Sequence, residues 1–314
     1  MITLYVSMFG KLNVQWGDQQ VKGLESSKDQ ELLCYLLIHR DRAHSREMLA
    51  SLLWGDSSTE KSKKYLRQSL WHLQHILEPE GNQANERILV VEHDWVRLNL
   101  KAAVRVDVAE FEQAYMQVKD LPSAEIDEER ARLLKEAVKI YQGDLLEGCY
   151  QEWCLFERER LQNMYLSILD KLLSHCGTHR LFEEGQAYGS LILSYDRANE
   201  RTHQQLMRLH GQAGNRTGAL RQYERCVAAL DEELGVRPSK QTESLLRIIR
   251  DDHSETLGQV ALETREQPVF ASFTELLNYL RQLRFLLVET ERRISQGIEA
   301  AESGLKLFKN QKQE

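Results

Sequence analysis

The chain has 314 residues, enough for two or three domains that each bury a core. Hydrophobic residues make up 42% and charged residues 28%, which excludes a long disordered chain; no run of eighteen apolar residues offers a membrane span. The formal charge of −7 argues against indiscriminate binding to polyanions, so its distribution matters. Residues 1–100 carry 12 Lys plus Arg against 13 Asp plus Glu, while 101–255 carry 21 against 27. The acidity therefore sits in the middle. In the first segment the cations bunch at Lys61, Lys63, Lys64 and Arg67. Five scattered cysteines, an odd number, suit a reducing cytoplasm better than a disulfide framework. The opening MITLYVSMFG has no basic stretch, so a secretory leader is not expected.

In chain order, Ile2, Leu4 and Val6 alternate as one face of a short strand, and Leu12, Val14 and Trp16 repeat the pattern. Gly10 and Gly17 mark the turns. From Ser27 the period becomes helical through Leu32, Leu33, Leu36 and Leu37. Ser45 then heads a second helix with Met48, Leu49, Leu52 and Leu53 facing inward, ending at Trp54-Gly55. A third helix is predicted over 57–77, opened by a capping box of Ser57 and Glu60. Its Leu66, Leu70, Leu73 and Leu77 form one core stripe. The opposite side carries Lys61, Lys64, Gln68, His72 and His75, with Trp71 beside them and Arg67 on the flank. Cations there suit phosphates, and amide or imidazole groups suit base edges. A solvated surface helix has the same pattern. Beyond it, 88–91 and 95–98 read as a β-hairpin around His93-Asp94.

A small sheet, three helices and a closing hairpin is the order of a winged helix. LLWGD at 52–56 and KYLRQSLWHLQHILEP at 64–79 resemble the DNA-binding domain of the SARP family of bacterial regulators. The resemblance implies that the third helix enters the DNA major groove and that the hairpin contacts the minor groove or backbone. Family members tend to carry several arginines in the distal half of that helix. Here Trp71-His72 and Gln74-His75 flank Leu73, and the wing has Asp94-Trp95 where Gly-Tyr is common.

From Asp107 the periodicity predicts helices over 108–119, 128–141, 152–176, 182–195, 200–213, 217–234 and 241–250. Gly185 and Ala219 stand 34 residues apart at small-residue positions, the tetratricopeptide period. NERTHQQLMRLHGQAGNRTGALRQYERCVAALDEELGVRPSKQT, residues 199–242, is closely similar to the bacterial transcriptional activator domain that follows the winged helix in SARP regulators. That resemblance implies a helical-repeat domain used for self-association and for contact with transcription partners. After Pro268, Ser272 and Glu275 form another capping box, and Leu276, Leu280, Leu283, Leu287 and Ile294 step near a 3.5-residue seam. A dimer-forming coil and a helix docked on its own repeat domain both fit.

The fold class expected is mostly α with a small β component. A winged-helix DNA-binding domain spans 1–100, a TPR-like activator domain 101–255, and a linker with a helical C-terminal extension 256–314. No Walker loop, receiver domain or four-ligand metal set is found, so neither an enzyme nor a cofactor is expected. Trp71 should pack on the wing's Trp95 or touch thymine methyl groups. The expected function is a cytoplasmic, sequence-specific DNA-binding regulator, an activator that binds direct repeats as a homodimer. Lys61, Lys64 and Arg67 would hold phosphates, Gln68 and His72 would read bases, and Trp71 and His75 would complete the interface. Loop 55–61 and the repeat domain would meet RNA polymerase. The rival is a TPR-like interaction scaffold whose winged helix does not bind DNA.

Overall fold

A computed structural model describes residues 3–77, 87–99 and 101–251; the predicted C-terminal extension and its seam lie outside them. Strand β1 (Leu4–Ser7) buries Leu4 and Val6 and exposes Tyr5, the alternation the sequence shows. It pairs antiparallel with β2 (Asn13–Trp16), which in turn pairs with β3 (Gln19–Gln20). Gly10 and Gly17 take φ of 80° and 56° in the connecting turns, where a side chain would be strained.

Helix α1 (Ser27–Ile38) is capped by the Ser26 side chain, which accepts from Asp29 N–H. The short strand β4 (His44–Ser45) leads into α2 (Arg46–Trp54), and α3 (Thr59–Leu77) follows. The hairpin of β5 (Leu89–Val91) and β6 (Trp95–Leu98) closes the unit, with β6 pairing β4 through His44 and Val96. Strand β7 (Val104–Val106) then returns beside β1 in parallel, Val6 opposite Val106. Sequence periodicity missed β4 and β7 because two or three residues are too few to show a period.

Strand β7 runs straight into α4 (Asp107–Met116). The Asp107 carboxylate accepts from Met8 N–H at 2.7 Å, Phe9 N–H at 3.0 Å and Val108 N–H at 2.7 Å, which ties the end of β1 to the start of α4. Then come α5 (Glu128–Ile140), α6 (Glu152–His179), α7 (Phe182–Tyr195), α8 (Glu200–Gln212), α9 (Arg216–Leu234) and α10 (Lys240–Arg250). Asp127, Asn199, Asn215 and Ser239 cap α5, α8, α9 and α10 with their side chains, and Gly235 ends α9 in the left-handed region. Helix α6 runs three residues past its predicted end, to a left-handed Arg180. The architecture is mostly helical with small N-terminal sheets: a winged helix, then a helical-repeat domain.

One hydrophobic core runs from β1 through Phe111 of α4 and Leu161 of α6 to Leu206 and Leu209 of α8. A smaller cluster joins Met207 and Ala219 to Leu245, Leu246 and Ile249. Small residues let the repeat helices approach. A Cβ on Gly185 would lie 2.7 Å from Leu209 Cδ2, and one on Gly189 would lie 2.5 Å from Leu206 Cδ2 and 2.8 Å from its Cγ. Gly189→Ala should therefore destabilise despite better helix propensity. Overpacking costs about 1–3 kcal/mol against a gain of about 1, leaving a net loss near 1 kcal/mol. Chemical denaturation measures it, and a stabilised variant would contradict the close approach.

Candidate nucleic-acid interface

Helix α3 is held by its apolar stripe. Leu66, Leu70, Leu73 and Leu77 are all buried where α3 packs on α1 and α2. Its start is set by Ser62, not by a Ser57–Glu60 box. The helix begins at Thr59, Ser62 N–H donates to Ser58 O at 2.9 Å, and the Ser62 hydroxyl donates to Trp54 O at 2.8 Å. That bond clamps the first turn of α3 to the last carbonyl of α2. Ser57 instead closes a turn, its N–H donating to Trp54 O at 3.0 Å.

Lys61, Lys64, Arg67, Gln68, Trp71 and His75 all face solvent. Lys63 pairs with Glu47 of α2, whereas Lys61, Lys64 and Arg67 have no ion pair among the described residues. They form a ladder of free cations along one edge of the helix. Trp71 is 67% exposed and lies parallel to His75, with ring centroids 5.7 Å apart. Among the described residues it therefore takes His75 as its ring partner, not Trp95, because i and i+4 on one helix are nearer than the wing.

His72 is placed differently. It is half-buried, and its Nδ1 lies 2.7 Å from Oδ2 of Asp29, itself 7% exposed at the side chain. Asp29 sits in the first turn of α1, where a carboxylate favours the helix N-terminus. The contact links residues 43 apart and fixes the approach of α3 to α1. A groove of about 760 Å³ opens beside it, with Lys28, Trp54, Tyr65, Gln68, Trp71 and His72 among its walls. Sequence reasoning missed Asp29; its only local signal was an acidic residue in a first helical turn, which says nothing about a distant imidazole.

The wing turns at His93 and Asp94, both exposed, with His93 Nδ1 2.7 Å from Asp94 Oδ1. Arg46, a second residue the sequence did not single out, braces this tip. Its N–H donates to Asp94 O at 2.9 Å, and its guanidinium to His93 O at 3.3 Å and Glu92 O at 3.4 Å. Arg97 is spent on Glu92 at 3.5 Å. On the wing Arg97 and Glu92 offset each other, whereas Lys61, Lys64 and Arg67 of α3 have no carboxylate partner among the described residues. Among the described residues no group of three or more His, Cys, Asp or Glu could hold a metal, and no helix is long and apolar enough to cross a membrane.

Two comparisons bear on this arrangement. The family model described as the bacterial transcriptional activator domain matches residues 106–250, from the end of β7 to the end of α10. Among solved structures the chain is similar to Mycobacterium tuberculosis EmbR, solved in complex with a low-affinity phosphopeptide. The TM-score is 0.61 at 18% identity, covering 83% of this chain and 69% of that one, a likeness of fold. No curated protein matches the sequence. A winged helix thus stands ahead of a match to the bacterial transcriptional activator domain over residues 106–250, the arrangement of a SARP-type transcriptional regulator.

Proposed function

We propose that this regulator binds DNA through α3, as an activator that places two subunits on a direct repeat near a promoter. The observation that carries the reading is the row of Lys61, Lys64 and Arg67, solvent-facing and without carboxylate partners on a helix clamped at its first turn. Cations left free on a rigid helix neutralise phosphates at little ordering cost. Gln68, one turn from Lys64, reaches base edges, and the Trp71–His75 stack offers an apolar face to thymine methyl groups. His72 acts through Asp29, setting the angle at which the helix is presented. Loop 55–61, exposed around Gly55, Asp56 and Ser58, and the acidic repeat domain offer surfaces to RNA polymerase. The protein works in the cytoplasm as a homodimer.

Lys64→Ala should weaken binding to specific and random DNA alike and reduce the salt slope by about one. Gln68→Ala should cost about 1–3 kcal/mol on the specific site while leaving random DNA unchanged, if its contact is bidentate. Mobility shifts at several salt concentrations measure both, and equal losses on both kinds of DNA for the two variants would defeat the assignment. A protein-binding winged helix is the second reading, favoured by the 67% exposure of Trp71. Retention on genomic fragments that is insensitive to salt, or absent, would favour it.

A further inference from the structure

The groove beside α3 is bounded by that helix, the first turn of α1 and the end of α2, and DNA-facing residues supply only part of its lining. Three aromatic rings stand in its walls. Trp54 ends α2, half-buried against the core, and Tyr65 lies next to it with ring centroids 6.5 Å apart at 40°. Trp71 supplies the third ring. Tyr65 and Trp71 are 39% and 67% exposed, so their apolar surface faces the opening rather than the core. At about 760 Å³ the groove is within the range of about 300–1,000 Å³ typical of small-molecule sites.

Its charges are unbalanced. The carboxylate in the lining, Asp29, is held by His72 at 2.7 Å. Lys28 is paired with Glu31 at 2.8 Å. Arg67 lines the same groove and has no carboxylate partner among the described residues. Aromatic walls take a flat ring, and a guanidinium fork takes a carboxylate in two parallel N–H···O bonds. With one uncompensated cation in the lining, a single negative charge is offset and a phosphate's second charge is not.

We propose that this groove binds a planar aromatic carboxylate of small-molecule size and that the bound ligand releases the regulator from DNA, the second half resting on the DNA-binding reading of α3. The ring lies among Trp54, Tyr65 and Trp71, and the carboxylate takes the Arg67 guanidinium. Duplex DNA does not fill the same space, because a recognition helix protrudes into the major groove and a recess on its flank stays on the protein side. Arg67 and Gln68 nevertheless belong to both surfaces. A ligand that neutralises Arg67 withdraws a phosphate contact, and one seated beside Gln68 obstructs its path to a base edge. The coupling is reciprocal: DNA weakens the ligand by the same factor as the ligand weakens DNA.

The test titrates 2-naphthoate into the full chain by calorimetry, with 2-naphthalenemethanol, cyclohexanecarboxylate and AMP as comparison compounds. Naphthoate should bind once per chain, and about tenfold more tightly than the alcohol without the charge, the acid without the aromatic ring or the nucleotide with its second charge. Arg67→Gln and Tyr65→Ala should each weaken it about tenfold and Arg67→Lys less, with circular dichroism confirming that each variant is folded. In a second arm a short fluorescent duplex of random sequence is bound at low salt. Naphthoate should release it at the concentration that fills the groove, and the Tyr65→Ala chain should need about tenfold more. Absence of naphthoate binding, equal binding by Arg67→Gln, tighter binding of AMP, or a DNA complex that persists with the groove full would each overturn the proposal. A chain that binds naphthoate with these preferences but no duplex at any salt supports the groove as a ligand site and overturns the DNA-binding reading instead.

Discussion

Glu112→Ala should lower the folding free energy by about 3 kcal/mol, a large change for a charged residue. Glu112 of α4 accepts from Arg40, which follows α1, at 2.8 Å and from Arg160 of α6 at 2.6 Å. Arg160 also holds Glu157 at 2.6 Å, and none of these side chains is more than 28% exposed. Truncating the carboxylate leaves two guanidiniums partly desolvated, Arg40 without its carboxylate and Arg160 with half its negative partners. Burial alone would disfavour the Arg160 charge, but Glu157 and Glu112 outweigh it and raise its pKa. An exposed ion pair is worth only about 0–1 kcal/mol, so the predicted loss depends on burial. Urea titration measures it, and a loss below about 1 kcal/mol would show that water screens the network. In an Arg40→Ala background the Glu112→Ala loss should shrink, because the stranded charge is already gone.

Acid should unfold the protein from below pH 6.5, and His39 is the main cause. Burial, then Arg42, His44 and Arg160, lower its pKa from 6.5 to about 4. Glu157 approaches within 3.8 Å and would raise it, but its carboxylate is held by Arg160 at 2.6 Å, so the cationic environment prevails. A folded pKa below the unfolded one means that the unfolded chain binds the proton more tightly. The stabilisation is therefore complete above pH 6.5 and is lost as pH falls through about 4, about 3 kcal/mol for this group. Burial also lowers the pKa of His44, His203 and His210, each adding to the same slope. Asp107, whose carboxyl burial pushes up, works in the opposite direction. Urea midpoints at pH 7.5, 6 and 5 should fall steadily, and His39→Asn should remove about one proton from the slope. A flat profile over that range would refute the assignment.

The local sequence carried much of this protein. The Leu66–Leu77 stripe and the Leu4 and Val6 alternation each act within one helix or one strand pair. Such signals survive in a linear reading because propensity, capping and periodicity are short-range. The solvent-facing set on α3 was legible for the same reason: once the buried stripe is known, the opposite side follows from 100° per residue. The partners of those residues were not. That Lys63 is neutralised by Glu47 while Lys64 is free, that Trp71 lies on His75 rather than Trp95, and that His72 is taken by Asp29 depend on contacts across a helix pair or a groove. The joining of β7 to β1 and the Glu112 network likewise bring together chain segments that no period relates. Residue type and spacing determined which groups could bind, and packing decided which of them are left free to do so.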